Sequence, residues 1–399
     1  MGKDMDWHNT VLSERVRRMH SPKFGVIAEV RKQIEGLTDV VVLGYGEPDT
    51  DTPDFIQEAG KKAIEAGFTH YVLPTEGYTP LRQAIAEKLA EHNKIVVDPD
   101  NEVLVTSGVQ MAINVAILAL VNPGDEVIIP QPYYYSDPLA VVMAGGKPVY
   151  TQLREENDFR VDFRDLESKI TKRTKAFFYI SPNCPTGSVF TQEDMEKLSE
   201  IAKRYRIFMI SDEIYEDLVY DGRKNVNIAS LPGMRDYSIS MFGFSKTFSM
   251  TGWRIAYMIG PRGVMDRMKE IHAQLTICPN SIAQKAAVTA LAGRERCVQE
   301  IRATYEERRN IFVKGLNELG FRCKPPAGSF YVYCNISGFG MTGFELSKRI
   351  AKEARVLGYP GVSYTEDNSG DPYIRFAYTV SKERLLVALD RMRDFVNKL

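Results

Sequence analysis

The chain is poor in the residues that staple or metallate small domains. Its cysteines, at 184, 278, 297, 323 and 334, are odd in number and include no Cys-x-x-Cys pair. A disulfide framework or a zinc site is therefore not expected, and a reducing cytosol is the expected setting. The five histidines show no metal-ligand spacing either. No apolar run approaches the roughly 20 residues that span a bilayer. The opening Met1-Gly-Lys-Asp-Met-Asp-Trp-His8 has no apolar signal segment. Asp6 stands where N-myristoylation requires Ser or Thr. An excess of one charge is also missing: 51 Lys and Arg against 52 Asp and Glu leave a net charge of -1. That balance gives no reason to expect nucleic acid or an anionic membrane as partner.

What is present is a soluble globular composition, 44% apolar and 26% charged over 399 residues. That length predicts two domains, and there is no internal repeat. The middle of the chain alternates helical and strand-like segments. Residues 111–121 are apolar with helical period, a turn follows at 122–125, and 126–130 reads as a short buried strand. Residues 176–180 and 207–210 are further strand-length apolar runs, and 191–205 between them is helical with Thr191 as its N-cap. Such alternation predicts an α/β fold with parallel pairing and helices on both faces. Ligands then bind beyond the carboxyl ends of the strands. The last third changes character. Residues 279–319 form a long charged helical stretch, followed by strands at 329–334 and 373–378 and helices from 343 and 381. The expected division is 1–45 as an arm and part of a small domain, 46–285 as a large domain, and 286–399 as the rest of the small one.

Five segments carry chemistry. Lys246 lies in Gly-Phe-Ser-Lys-Thr-Phe-Ser-Met-Thr-Gly-Trp-Arg, framed by Ser245 and with Arg254 eight residues on. A lysine amine in a partly desolvated site shifts its pKa readily, forms an imine with an aldehyde and serves as a base. Ser107-Gly108-Val109 follows a strand and opens a helix, so its N–H groups can meet a phosphate; an ordinary helix cap is the plainer alternative. Asp212 ends a buried strand, with Tyr215 three residues on. An acid there can pair with a protonated ring nitrogen, or act as a cap or salt-bridge partner. Ser-Pro-Asn-Cys-Pro-Thr-Gly at 181–187 is a rigid loop after a strand, and Gly44-Tyr-Gly46-Glu-Pro-Asp49 has glycines for close backbone approach. Arg375 sits inside an apolar strand and needs a partner, either a substrate carboxylate or an internal salt bridge.

In combination, Gly-Glu-Pro-Asp at 46–49, the Pro-Thr-Gly loop at 181–187, Ser-Asp-Glu-Ile-Tyr at 211–215 and Ser-Lys-x-Phe-x-Met-Thr-Gly-Trp-Arg at 245–254 resemble the class I and II aminotransferases, fold type I of the pyridoxal-phosphate enzymes. The resemblance runs from about residue 12 to the C-terminus and is nearest the aspartate/aromatic branch. It implies a large domain with a mostly parallel seven-stranded sheet, a smaller α/β domain, and pyridoxal 5'-phosphate as cofactor. It further implies that Lys246 holds the cofactor as an imine and shuttles a proton, Asp212 pairs with the ring nitrogen, and Tyr215 bonds the ring hydroxyl. Ser107, Gly108, Val109, Ser245 and Arg254 would surround the phosphate, Tyr134 would stack on the ring, and Gly46 and Arg375 would hold the substrate α-carboxylate. Tyr71 would come from a second subunit, making a homodimer with shared sites that moves amino groups from an amino acid to a 2-oxo acid by a ping-pong route.

The chain departs from the family pattern where asparagine usually precedes Pro-Thr-Gly: Cys184 stands there, with Asn183 one step earlier. Cysteine is a weak donor, so either the cofactor's phenolate is less stabilised and the imine less acidic, or Asn183 serves instead. The stretch at 71–77 is one residue longer than the common pattern, which touches the assignment of Tyr71. A β-lyase or a cyclopropane-forming synthase shares the scaffold and remains the alternative, because one fold hosts many reactions. A non-enzymatic regulator is disfavoured by the intact lysine. No second cation for a distal carboxylate is evident, and Val109 stands where some aspartate-using relatives carry lysine. Phe24, Tyr133 and Tyr135 are candidate pocket walls or core residues.

Overall fold

The computed structural model describes residues 11–19 and 22–399; the expectations placed on residues 1–10, and on the Phe24 side chain, lie outside that description. Among the described residues, twelve strands form three sheets. The large one holds β2 (Val103–Thr106), β3 (Glu126–Gln131), β4 (Lys147–Gln152), β5 (Thr174–Ile180), β6 (Phe208–Asp212), β7 (Ser238–Gly243) and β8 (Ala256–Ile259). Their order is β2-β8-β7-β6-β5-β3-β4. All pairings are parallel except those of β8, which runs antiparallel to both neighbours. This is the mostly parallel seven-stranded sheet that the resemblance implies. Its central strands are buried on both faces, which explains why they read as continuous apolar runs rather than as alternation. The hydroxyls that interrupt them are paired: Ser211 of β6 bonds Ser240 of β7 at 3.0 Å, at matched register.

The helices between these strands begin and end on local signals. Thr191 and Asp194 form a capping box for the helix Gln192–Tyr205, and Arg206 closes it in the left-handed conformation. The long helical stretch near 279–319 is two helices, Ser281–Ala292 and Arg294–Glu318. The break falls at Gly293, where a Cβ would lie 2.6 Å from the Phe55 ring. Helical periodicity continues through that point, so the sequence pattern alone conceals the break.

The remaining strands are β1 (Val41–Val42), β9 (Tyr331–Asn335), β10 (Val356–Leu357), β11 (Tyr359–Pro360) and β12 (Tyr373–Ala377). β12 lies between β11 and β9 in an antiparallel sheet, and β1 pairs in parallel with β10. The chain after β1 runs beside β12: the Ala377 N–H donates to the Leu43 carbonyl at 2.7 Å and the Thr379 hydroxyl to the Tyr45 carbonyl at 3.2 Å. This long-range pairing delivers Gly44 against Arg375 and Gly46 against Tyr331. No helix of the described residues is long and apolar enough to cross a membrane.

Candidate active site

A cavity of about 490 Å³ opens where the carboxyl ends of the parallel strands face the three-stranded sheet. Its size is that of a small-molecule site. Lys246, Asp212, Tyr215, Ser245, Arg254 and Arg375 all line it, as do Gly46, Val109, Tyr134 and Cys184. Seven separate segments of the chain supply them.

Lys246 follows β7. Its Nζ donates to the Gly46 carbonyl at 2.7 Å and lies 5.8 Å from the centroid of the Phe330 ring. The next residue, Thr247, donates to Asp217 at 2.8 Å, and Asp217 is ion-paired with the buried Arg294. That anchor fixes the turn carrying the lysine. Burial pushes the Lys246 amine down to about 8, against the opposing pull of Glu47. Asp212 ends β6 at 5% exposure. It accepts the Ile214 backbone N–H at 2.9 Å, and burial raises it to about 7. An ionised carboxylate so placed calls for a cation beyond what the single N–H supplies.

Of the two sequence readings of Arg375, the internal salt bridge is not made: among the described residues no carboxylate pairs with it. It donates to the Gly44 carbonyl and to Cys184 Sγ, the latter at 3.7 Å, while its Nε has no partner. Its guanidinium faces the rings of Tyr331 at 4.4 Å and Tyr364 at 4.8 Å. A fully buried guanidinium with a free donor, opening on a cavity, fits a carboxylate ligand. Gly46 is required beside it, because a Cβ there would stand 1.7 Å from the Tyr331 hydroxyl.

The phosphate end is equally specific. Gly108 has φ +82 and caps the helix Val109–Leu120, and a Cβ on it would meet Arg254 Nη2 at 2.4 Å. Arg254 itself has φ +54 and bonds the Thr251 carbonyl at 2.9 Å, with no carboxylate partner among the described residues. A helix N-terminus, an unpaired guanidinium and the buried Ser245 converge there. Ser107 is half-buried at the rim and does not line the cavity. With the half-buried Tyr134 also lining the cavity, the donor set fits a phosphorylated pyridine aldehyde.

The two candidates of the Pro-Thr-Gly loop separate cleanly. The Asn183 side chain accepts from Thr186, through N–H at 3.1 Å and hydroxyl at 2.8 Å, and turns away from the cavity. Cys184 faces it. Tyr71 lies outside the cavity of its own chain and is 71% exposed. Of the candidate walls, Tyr135 lines the cavity, whereas Tyr133 is buried and stacked on Tyr150. Sequence reasoning missed three residues. Tyr331 bonds Tyr215, hydroxyl to hydroxyl, at 3.0 Å. Arg31 lines the cavity mouth from the helix Pro22–Lys32, 5.7 Å from the Tyr45 ring centroid. Asp137 is buried with Oδ1 unpartnered, and burial raises it well above the carboxylate range. Only Tyr331 had a signal, its place in the strand-like run 329–334.

The family model for aminotransferase class I and II matches residues 38–392. The chain is 39% identical to aromatic-amino-acid aminotransferase 2 of Thermococcus litoralis, over 97% of this chain and 98% of that one. It is 40% identical to an aspartate aminotransferase of Pyrococcus abyssi, over 93% and 96%. Among solved structures, the aspartate aminotransferase of Thermus thermophilus with maleate superposes with a TM-score of 0.89 at 36% identity, covering 97% of this chain and 99% of that one.

Proposed function

The chain belongs to the class I and II aminotransferases, and from that premise we propose which of its residues do the work and what the substrates carry. It is a pyridoxal-phosphate-dependent enzyme of fold type I that transfers amino groups. The bound cofactor supplies an electron-withdrawing protonated ring that stabilises negative charge at the substrate α-carbon. Lys246 attaches the cofactor, and its Nζ then carries the proton taken from that carbon. An amine depressed to about 8 is available as a base near neutral pH. Asp212 keeps the ring nitrogen protonated, Tyr215 with Tyr331 addresses the ring hydroxyl, and Arg254, Ser245 and the Ser107–Val109 turn hold the phosphate. Cys184 rather than Asn183 faces the ring oxygen. Arg375 and Gly46 orient the α-carboxylate. The free Nε of Arg375 is the observation that carries this reading.

A further cation at the cavity mouth, Arg31, supports a dicarboxylate as one of the substrates. Arg31 enters from a different element than the lysine of the aspartate-using relatives, and among the described residues no carboxylate pairs with it. Several relatives are named aspartate aminotransferases, and maleate, a dicarboxylate, accompanies the Thermus structure. Residues 1–45 act as an arm and part of the small domain, 46–285 as the large domain, and 286–399 as the rest of the small domain. The enzyme works as a cytoplasmic homodimer, with the exposed Tyr71 reaching the other subunit's phosphate. The relatives' names favour amino-group transfer over β-lyase or synthase chemistry. The test is a panel of amino donors with pyruvate and 2-oxoglutarate, in wild type and Arg31→Gln. The reading expects stable pyridoxamine phosphate from the donor alone, and a roughly tenfold higher KM for 2-oxoglutarate in the variant with pyruvate unaffected, a loss of about 1.4 kcal/mol. Equal losses for both acceptors would refute the Arg31 assignment; pyruvate and ammonia from the donor alone would refute the transfer reading.

A further inference from the structure

Cys323 and Cys334 lie apart from the cavity. Arg322 and Asn335 exchange both backbone hydrogen bonds, each at 2.9 Å, as an antiparallel pair. Antiparallel partners alternate between bonded and non-bonded pairs, so the next pair inward, Cys323 with Cys334, is of the non-bonded kind, with Cα atoms about 4.5 Å apart. That falls within the roughly 4.4–6.8 Å that a disulfide spans. The two free thiols face each other with their sulfurs 2.6 Å apart. Neither backbone has to move to join them. The Asn317 side chain grips Cys323 from one side, accepting its N–H and donating to its carbonyl, both at 2.9 Å. Cys334 is held in β9 opposite Ile374 of β12.

We propose that Cys323 and Cys334 form a disulfide-forming dithiol, oxidised by a low-molecular-weight disulfide such as glutathione disulfide. Cys323, at 8% exposure against 0% for Cys334, meets the reagent first. It gives up its proton and attacks one reagent sulfur, and the expelled glutathione thiolate takes up a proton. Cys334 then loses its proton and attacks the Cys323 sulfur, releasing the second glutathione thiolate, which is protonated in turn. Two protein thiols are oxidised by two electrons, and one reagent disulfide is reduced to two thiols. The closed ring spans residues 323–334 and contains Phe330 and Tyr331. It also contains Gly328, whose N–H donates to the Gly187 carbonyl at 2.9 Å. Oxidation therefore ties down the segment that presents Tyr331 to the cavity and braces the Pro-Thr-Gly loop.

The test uses the full-length protein and needs no activity. After incubation with glutathione disulfide the protein is unfolded, alkylated with iodoacetamide and weighed. The proposal expects three alkylated cysteines instead of five, and a tryptic peptide starting at Cys323 and carrying both residues, two hydrogens lighter. The melting temperature rises by several degrees and falls back with dithiothreitol. Cys323→Ser retains four alkylated cysteines and shows no such rise. Five alkylated cysteines after oxidation, a persistent glutathione adduct on Cys323, or loss of thiols at Cys184, Cys278 or Cys297 would each overturn it.

Discussion

Asp212→Asn should stabilise the cofactor-free protein while destroying its function. The carboxyl is buried, has one backbone donor from Ile214 at 2.9 Å, and is raised from 3.8 to about 7. That shift of about three pH units corresponds to about 4 kcal/mol at roughly 1.4 kcal/mol per unit. The sign follows from linkage: below about pH 4 both states are protonated and nothing is lost. Between about pH 4 and 7 the unfolded chain releases the proton that the folded chain keeps, and stability falls with each unit; above about pH 7 the penalty is constant. Asparagine keeps an oxygen for the Ile214 N–H and carries no charge, so it escapes the penalty. Relaxation of the site reduces the gain, which leaves about 2–4 kcal/mol at pH 8 and about half of that or less at pH 5. Urea unfolding of the cofactor-free proteins at the two pH values reads it directly. With cofactor bound the advantage shrinks, because the protonated ring nitrogen supplies the missing counter-charge. A variant no more stable than wild type at pH 8, or a gain independent of pH, would refute the reasoning.

Three further outcomes follow from the same geometry. Arg375→Lys keeps the charge but loses the paired donors, so kcat/KM for every amino donor should fall by about 10²–10³, about 3–4 kcal/mol; a tenfold loss or less in steady-state assays would count against a carboxylate role. Gly46→Ala places a methyl 1.7 Å from the Tyr331 hydroxyl, so its melting temperature should drop by several degrees and recover in part when Tyr331→Phe is added. Additive losses in the double variant would count against that contact. Reductive methylation of Lys246 in cofactor-free protein, followed by peptide mass, should rise with pH and inflect near 8, well below the roughly 10.4 of surface lysines. An inflection in the ordinary lysine range would remove the case for a desolvated amine.

The large sheet was legible because its strands and helices declare themselves locally. The buried runs at β5 and β6, the Thr191 cap and the turn at 122–125 each rest on a few adjacent residues. The candidate lysine, aspartate and glycine-rich turns were legible for a related reason: each sits where a strand ends. Pairing between distant segments left no such trace. β1 meets β10 across more than 300 residues of chain, and nothing in residues 41–46 states that Arg375 will lie against them. Arg31 is one charged residue on a helix, and only the folded chain shows it at the cavity mouth. The close approach of Phe55 to Gly293, where the helix ends, is encoded by no helical period. Cys323 and Cys334, eleven positions apart, read as unrelated until the antiparallel register places them side by side.

The central claim is that Lys246 is the attachment point of the cofactor in an amino-group-transferring site. Borohydride reduction of the pyridoxal-phosphate-loaded protein, followed by peptide mapping, tests it most directly. The account predicts one phosphopyridoxyl group per chain, on the peptide containing Lys246, absent in Lys246→Ala and absent when an amino acid has first been added without acceptor. Label on any other lysine, or label on Lys246 unaffected by prior treatment with every amino donor of the panel, would contradict it.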